Sequence, residues 1–297
     1  MLPTLNDLPV CILSTVASFV DCKTFSEFIR LSRANHDAHL LPPHIKFFTK
    51  NISEKILLFR KWFNLHRNLA IVIPQINLEW TDLSEFPDED LSSCSGMNIE
   101  KLLVTFHICN YTGQFLRHFV SMPLTELSIC GAEGLIDSSL IYISQLPLTS
   151  LQFINGSQIT NAGLKHLASL RLTSLKLWRS LLITDDGLAN MANMPLTELV
   201  LNRSENLTDA TLLHLTHCPL TYLNLEHCGR FSDDGVAHLA HMPLTELNVD
   251  SCYQLTNTSL SHLTQCPLRK LDVSYCSSIS TGAVVRTLHL YSNIDSI

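Results

Sequence analysis

The chain has 297 residues, of which 46% are hydrophobic and 16% charged, with a net charge of −7. That is too apolar for disorder, and no block of basic residues marks it as a general binder of nucleic acid or anionic membrane. No apolar run approaches the ~20 residues of a membrane span, and the length suits one elongated domain or two globular ones.

The first predicted elements are helical. Asp7 can cap a helix with Pro9 in its first turn, and Ile12, Leu13, Val16, Phe19 and Val20 supply its apolar stripe. A second stripe runs through Phe25, Phe28 and Ile29, within Cys22 to Ser32. The run "PVCILSTVASFV" is apolar enough for a secretory leader, but no Lys or Arg precedes Lys23 and Asp7 lies upstream. A cytoplasmic or nuclear chain is therefore expected; a bacterial or viral one would act in a host cytosol. The segment from Pro42 to Leu69 includes "SEKILLFRKWFNLHRN", amphipathic and basic, with Trp62 and Phe63 as core. "IPQINLEW" from Ile73 and "IEKLLV" from Ile99 read as degenerate strands. The expected division is 1–45 for the helical module, 46–98 for a helical linker and degenerate first repeat, and 99–297 for a repeat array.

From Leu124 the chain repeats itself. A Leu recurs at 124, 148, 172, 196, 220, 244 and 268, each step 24 residues. Counting that Leu as position 1, position 4 is always Leu (Leu127 to Leu271) and position 6 is always apolar (Ile129 to Val273). Alternation at 4 and 6 makes a short strand with one buried face. Pro precedes six of the seven strands, Arg171 being the exception, and it extends the entry to the strand. Position 9 is small: Ala132, Gly156, Ser180, Ser204, then Cys228, Cys252 and Cys276. Position 12 is apolar. Position 13 is Ser or Thr in six repeats, followed mostly by Asp or Asn, which is N-cap chemistry for a short helix. That helix buries positions 17 and 20, three apart on one face. A lone unit cannot cover its own apolar face, so only the stacked array is stable.

The fixed period and the L-x-x-L-x-L core read as a solenoid of leucine-rich repeats, an α/β fold with a curved parallel sheet and helices on the convex side. "LTYLNLEHCGRFSDDGVAHL", Leu220 to Leu239, resembles the cysteine-containing subclass of these repeats. The N-terminal segment from Leu5 to Leu41 resembles an F-box. It shares the Leu-Pro opening at Leu8 and Pro9, a first helix ending in Phe-Val, a break at Asp21 and a second helix ending in "LSR"; a Trp common after the third helix is missing. The order of the two modules is that of the F-box/leucine-rich-repeat family. The resemblance implies that Leu8, Pro9, Ile12, Leu13, Val16 and Phe19 dock on the Skp adaptor of a cullin-based ubiquitin ligase, while the concave face holds a protein substrate. The other reading is a stand-alone recognition scaffold or effector whose N-terminal helices only cap the array.

Positions 3, 5, 7 and 8 are free of core duty and vary. The candidate substrate contacts are Lys176, Trp178, Arg179 and Arg203, an aromatic and basic patch, followed by Glu226, His227, Asp250 and Tyr275. Trp, Tyr and Arg are the types enriched at binding hot spots. Catalysis is not expected. Five of the ten cysteines fall on repeat positions and no Cys-x-x-Cys occurs, so they read as small buried hydrophobes. His214/His217 and His238/His241 have a metal-compatible spacing, but the repeat already explains one of each pair. No cofactor, metal, nucleic-acid or membrane partner is expected.

Overall fold

The computed structural model describes residues 44–46, 73–80, 99–106 and 113–289. The helices expected between Leu5 and Leu41, with Leu8, Pro9, Ile12, Leu13, Val16 and Phe19, lie outside these residues.

Among the described residues one parallel sheet runs in sequence order. Its strands are β1 (His44–Lys46), β2 (Ile73–Trp80), β3 (Ile99–Phe106), β4 (Glu126–Cys130), β5 (Ser150–Ile154), β6 (Ser174–Trp178), β7 (Glu198–Val200), β8 (Tyr222–Asn224), β9 (Glu246–Asn248) and β10 (Lys270–Asp272). Between them lie helices α1 (Leu140–Ile143), α2 (Asn161–Leu167), α3 (Asp185–Ala189), α4 (Asp209–His214), α5 (Asp233–Ala237) and α6 (Asn257–His262), and α7 (Thr281–His289) follows β10. From β4 onward each residue pairs with the one 24 ahead, as Leu151 does with Leu175. Upstream the step lengthens. Lys101 pairs with Glu126, Gln75 with Lys101, and His44 with Gln75. The two degenerate strands expected near Ile73 and Ile99 are present; β1 carries no repeat signal and was not expected. Strands sit about 4.8 Å apart and helices about 8–10 Å, so the sheet takes the inner arc and the helices the outer.

Positions 1, 4, 6, 12, 17, 20 and 23 form one continuous core, in which Leu151, Phe153, Ile159, Leu164 and Leu167 of a single repeat are wholly buried. It loosens at the C-terminal end, where Leu271, Val273, Ile279 and Val284 are only partly covered. Position 9 is the tight interior bend: Ala132, Ser180, Ser204, Cys228 and Cys252 are buried.

Polar ladders tie the layers together. At position 2 the hydroxyls of Thr149, Thr173, Thr197, Thr221 and Thr245 donate to the threonine carbonyl one layer back, at 3.1–3.2 Å. At position 14 the acid or amide reaches the next layer's helix start. Asp137 accepts from the Thr160 N–H at 2.8 Å and its hydroxyl at 2.6 Å; Asp209 does the same for Ser232. N-capping by position 13 is found at Thr160, Thr208 and Thr256, but not at Thr184 or Ser232. The expected cap is thus only part of that pair's work, and the larger part is the bond between layers. Position 16 makes room for it. A Cβ on Gly235 would sit 2.0 Å from Asp209 Oδ1, whereas Thr211 instead donates its hydroxyl to Asp185.

Candidate functional site

The strand face is built by the outward positions of each strand and by the turn that follows. Position 8 takes left-handed backbone in every repeat: Gly131, then Asn155, Arg179, Arg203, His227, Ser251 and Tyr275, the last five at φ 57–59°. That conformation costs a side-chain-bearing residue about 1–2 kcal/mol. It is held because the same N–H continues the ladder: Arg179 N donates to the Asn202 carbonyl, Arg203 N to Glu226 and His227 N to Asp250, each at 2.9 Å. At Arg179, Arg203 and Tyr275 the side chain is exposed at the rim of the face, whereas Ser251 is buried.

The eight residues named from sequence do not form one patch. Trp178 is 39% exposed and Arg179 and Arg203 stand out beside it, one ladder step apart. Lys176 is not free: its Nζ lies 2.7 Å from Glu198 Oε1. The basic centre of the face therefore consists of two arginines. Glu226 accepts from the Asn202 amide at 2.9 Å and lies 3.7 Å from His227 Nε2. Asp250 accepts from the Ser251 hydroxyl at 2.7 Å. Tyr275, at 79% exposed, stands at the far end. Four face positions, Val200, Asn202, Asn224 and Ser251, are buried rather than presented.

Toward the other end, β3 to β6 frame an open depression of about 470 Å³, lined by Lys101, Glu126, Ser128, Cys130, Gln152 and Lys176 among others. Its cations are paired, Lys101 with Glu126 and Lys176 with Glu198. Sequence reasoning passed over it; the signal was the run of short polar residues at positions 3 and 5. It also passed over Leu181 and Leu182, which are 39% and 48% exposed just past Trp178.

Among the described residues, five buried thiols are held protonated. Burial pushes Cys228 up to about 12 and Cys218 and Cys266 to about 11, and raises Cys252 and Cys276 as well. A nucleophilic or metal-ligating cysteine needs the opposite shift. Among the described residues no group of three or more His, Cys, Asp or Glu could hold a metal ion, and no helix is long and apolar enough to cross a membrane.

A family profile described as "Leucine Rich repeat" matches residues 216–240. The fold is a leucine-rich-repeat solenoid. A search of curated proteins finds no match. Among solved structures, the Toll–Spatzle complex of Drosophila aligns with a TM-score of 0.51 and 15% identity over 77% of this chain and 30% of that one. A chain of the Rad7 and Elc1 complex in yeast aligns at a TM-score of 0.49 and 17% identity, over 95% of this chain and 84% of that one. The leucine-rich-repeat domain of the type III effector XopL gives a TM-score of 0.42 and 15% identity over 97% and 94%. At these identities the likeness is one of fold, and the Toll alignment is the one of the three that carries it.

Proposed function

We propose that the chain is the non-catalytic substrate-recognition subunit of a Skp–cullin ubiquitin ligase. Its N-terminal helices bind the Skp adaptor, and through it cullin, and its strand face binds the protein to be modified. The observation that carries this reading is the order of modules: the F-box-like segment from Leu5 to Leu41 leads directly into a sheet whose first strand starts at His44. The strand face supports it as well, since its outward positions change from repeat to repeat while the core positions beside them stay fixed. In this reading the chain performs no chemistry.

A pull-down of the full chain with purified Skp adaptor tests it. The intact chain should bind, and Leu8→Ala/Pro9→Ala should weaken binding at least about tenfold, as loss of a buried anchor does, with thermal unfolding of the array unchanged. If the intact chain retains no Skp homologue, the chain is a free-standing recognition scaffold and the N-terminal helices serve only to cap the solenoid.

A further inference from the structure

One repeat departs from the others at the rim of the strand face. Positions 10 and 11 are polar or small elsewhere, as Glu133-Gly134, Ser157-Gln158 and Glu205-Asn206 show, apart from Tyr253 at position 10. The repeat of β6 has Leu181 and Leu182 there, and the same repeat supplies Trp178 and Arg179. Core packing does not account for them, since Trp178, Leu181 and Leu182 are 39%, 39% and 48% exposed. Nor is the turn loose. Leu182 forms a parallel bridge with Thr160, and the Leu181 carbonyl accepts from Asn206 Nδ2 at 2.7 Å. An apolar patch held rigid in this way loses little entropy when it is covered.

The charges around it are arranged to leave two cations free. Lys176 is neutralised by Glu198 and Glu226 is engaged by Asn202, while Arg179 and Arg203 are exposed and make no ion pair among the described residues. Two unpaired guanidinium groups flanking an apolar patch, on a chain of net charge −7, complement carboxylates next to an apolar side chain. Guanidinium groups favour the forked carboxylate contact. A polyanion such as single-stranded RNA fits less well, because the patch is two-thirds aliphatic and offers one stacking plane.

We infer that this rim takes an acidic peptide segment of a protein, with one aromatic or aliphatic side chain against Trp178, Leu181 and Leu182 and its carboxylates on Arg179 and Arg203. The inference names the chemistry of the substrate and rests on the strand-face reading above.

Random 12-residue peptides displayed on phage, selected against the immobilised full chain, test it. Enriched peptides should carry two or more Asp or Glu close to a Leu, Phe or Trp. A synthetic peptide of the winning sequence, followed by fluorescence anisotropy, should lose about tenfold or more in affinity on Trp178→Ser and on Arg203→Glu, with unchanged melting temperatures. Its binding should also weaken with salt. Failure to enrich, winners without acidic residues, or an affinity for both variants unchanged from that for the intact chain overturns the inference. So does a labelled 20-nucleotide single-stranded RNA that binds the chain and is released by Arg203→Glu. If the winners are displaced by Glu226→Ala or Asp250→Ala but not by Trp178→Ser, this rim is the wrong place while strand-face recognition stands. The Skp pull-down decides the ligase reading independently of all these outcomes.

Discussion

In β4 to β6 the ladder runs for five residues, through Cys130, Ile154 and Trp178 at position 7. In β8 to β10 it stops after three. Position 5 marks the difference in β8 to β10, although β7, with Val200 there, also stops after three. Asn224, Asn248 and Asp272 turn their side-chain oxygens onto the position-7 N–H two residues on, at 2.9, 2.8 and 3.0 Å. Ser128, Gln152 and Lys176 at the same place make no such bond, and the strand continues. Withdrawing that N–H from the ladder frees the position-6 carbonyl of the layer before, and the thiol at position 9 takes it. Cys228 donates to Leu201, Cys252 to Leu225 and Cys276 to Val249, at 3.0–3.2 Å. The cysteine of this repeat class is therefore one half of a device whose other half is an Asn or Asp four residues earlier. Repeats without the Asn or Asp at position 5 also lack the Cys at position 9.

That comparison breaks most sharply at Asn248. Asn248→Ala should cost about 1–3 kcal/mol by orphaning the Asp250 N–H, whereas Gln152→Ala should stay within about 0.5 kcal/mol; urea unfolding of the two variants reads the difference. The pairing of positions 5 and 9 is sharpened by a double-mutant cycle. In the Asn248→Ala variant the thiol still holds the Leu225 carbonyl, and removing it as well lets the orphaned Asp250 N–H return there. Cys252→Ala should then cost at least about 0.5 kcal/mol less in the Asn248→Ala background than alone. Strict additivity would show the two positions to be independent.

The period, the core positions, the capping residues and the two degenerate strands were legible because each is an apolar or cap pattern repeated in phase. Cys228, Cys252 and Cys276 were legible as buried, but not as donors, because a hydrogen bond to the previous layer leaves no mark within one unit. The correlation of positions 5 and 9 across units was the available signal. Lys176 looked free because its partner, Glu198, stands 22 residues on, at position 3 of the next layer, close only once the strands are in register. Leu181 and Leu182 were visible all along as the one apolar pair in a polar turn. β1 has no counterpart in the repeat and could not be read from it.

The ladder of position-14 acids gives a smaller effect, spread along both halves. Burial tends to raise Asp185, but hydrogen bonds from Thr211 and Thr208 together outweigh it and hold its carboxyl below the usual carboxylate value. Asp233 is lowered against burial in the same way by Thr256 and Ser259. A carboxylate whose pKa is depressed on folding stabilises above its unfolded value of about 3.9, and that contribution is lost as pH falls through the folded value. The melting temperature should therefore be flat near neutrality and drop below about pH 4. Asp185→Asn/Asp233→Asn, which copies the natural Asn161 with its bond to Thr184 N at 2.9 Å, should flatten part of that drop. An unchanged acid limb would mean that other carboxylates govern it.

The smallest expected change runs the comparison backwards. Ser180 and Ser204 occupy position 9 where the later repeats have Cys, and both hydroxyls are buried with no partner. A thiol is longer by the difference between a C–S and a C–O bond, and at Cys228 it reaches the carbonyl 27 residues back at 3.0 Å. It is also far less costly to leave dry than a hydroxyl. Ser204→Cys therefore removes a desolvated hydroxyl and brings a donor within reach of the Leu177 carbonyl. It should stabilise the array by about 0.5–1 kcal/mol, seen as a rise in urea midpoint at constant slope. Ser180→Cys should do less, because Phe153 lies opposite Leu177 in a ladder that continues to Trp178, so the carbonyl it would meet is less in need of a donor. A gain of equal size at both sites would show that relief of the buried hydroxyl, and not the freed carbonyl, is what the cysteine contributes.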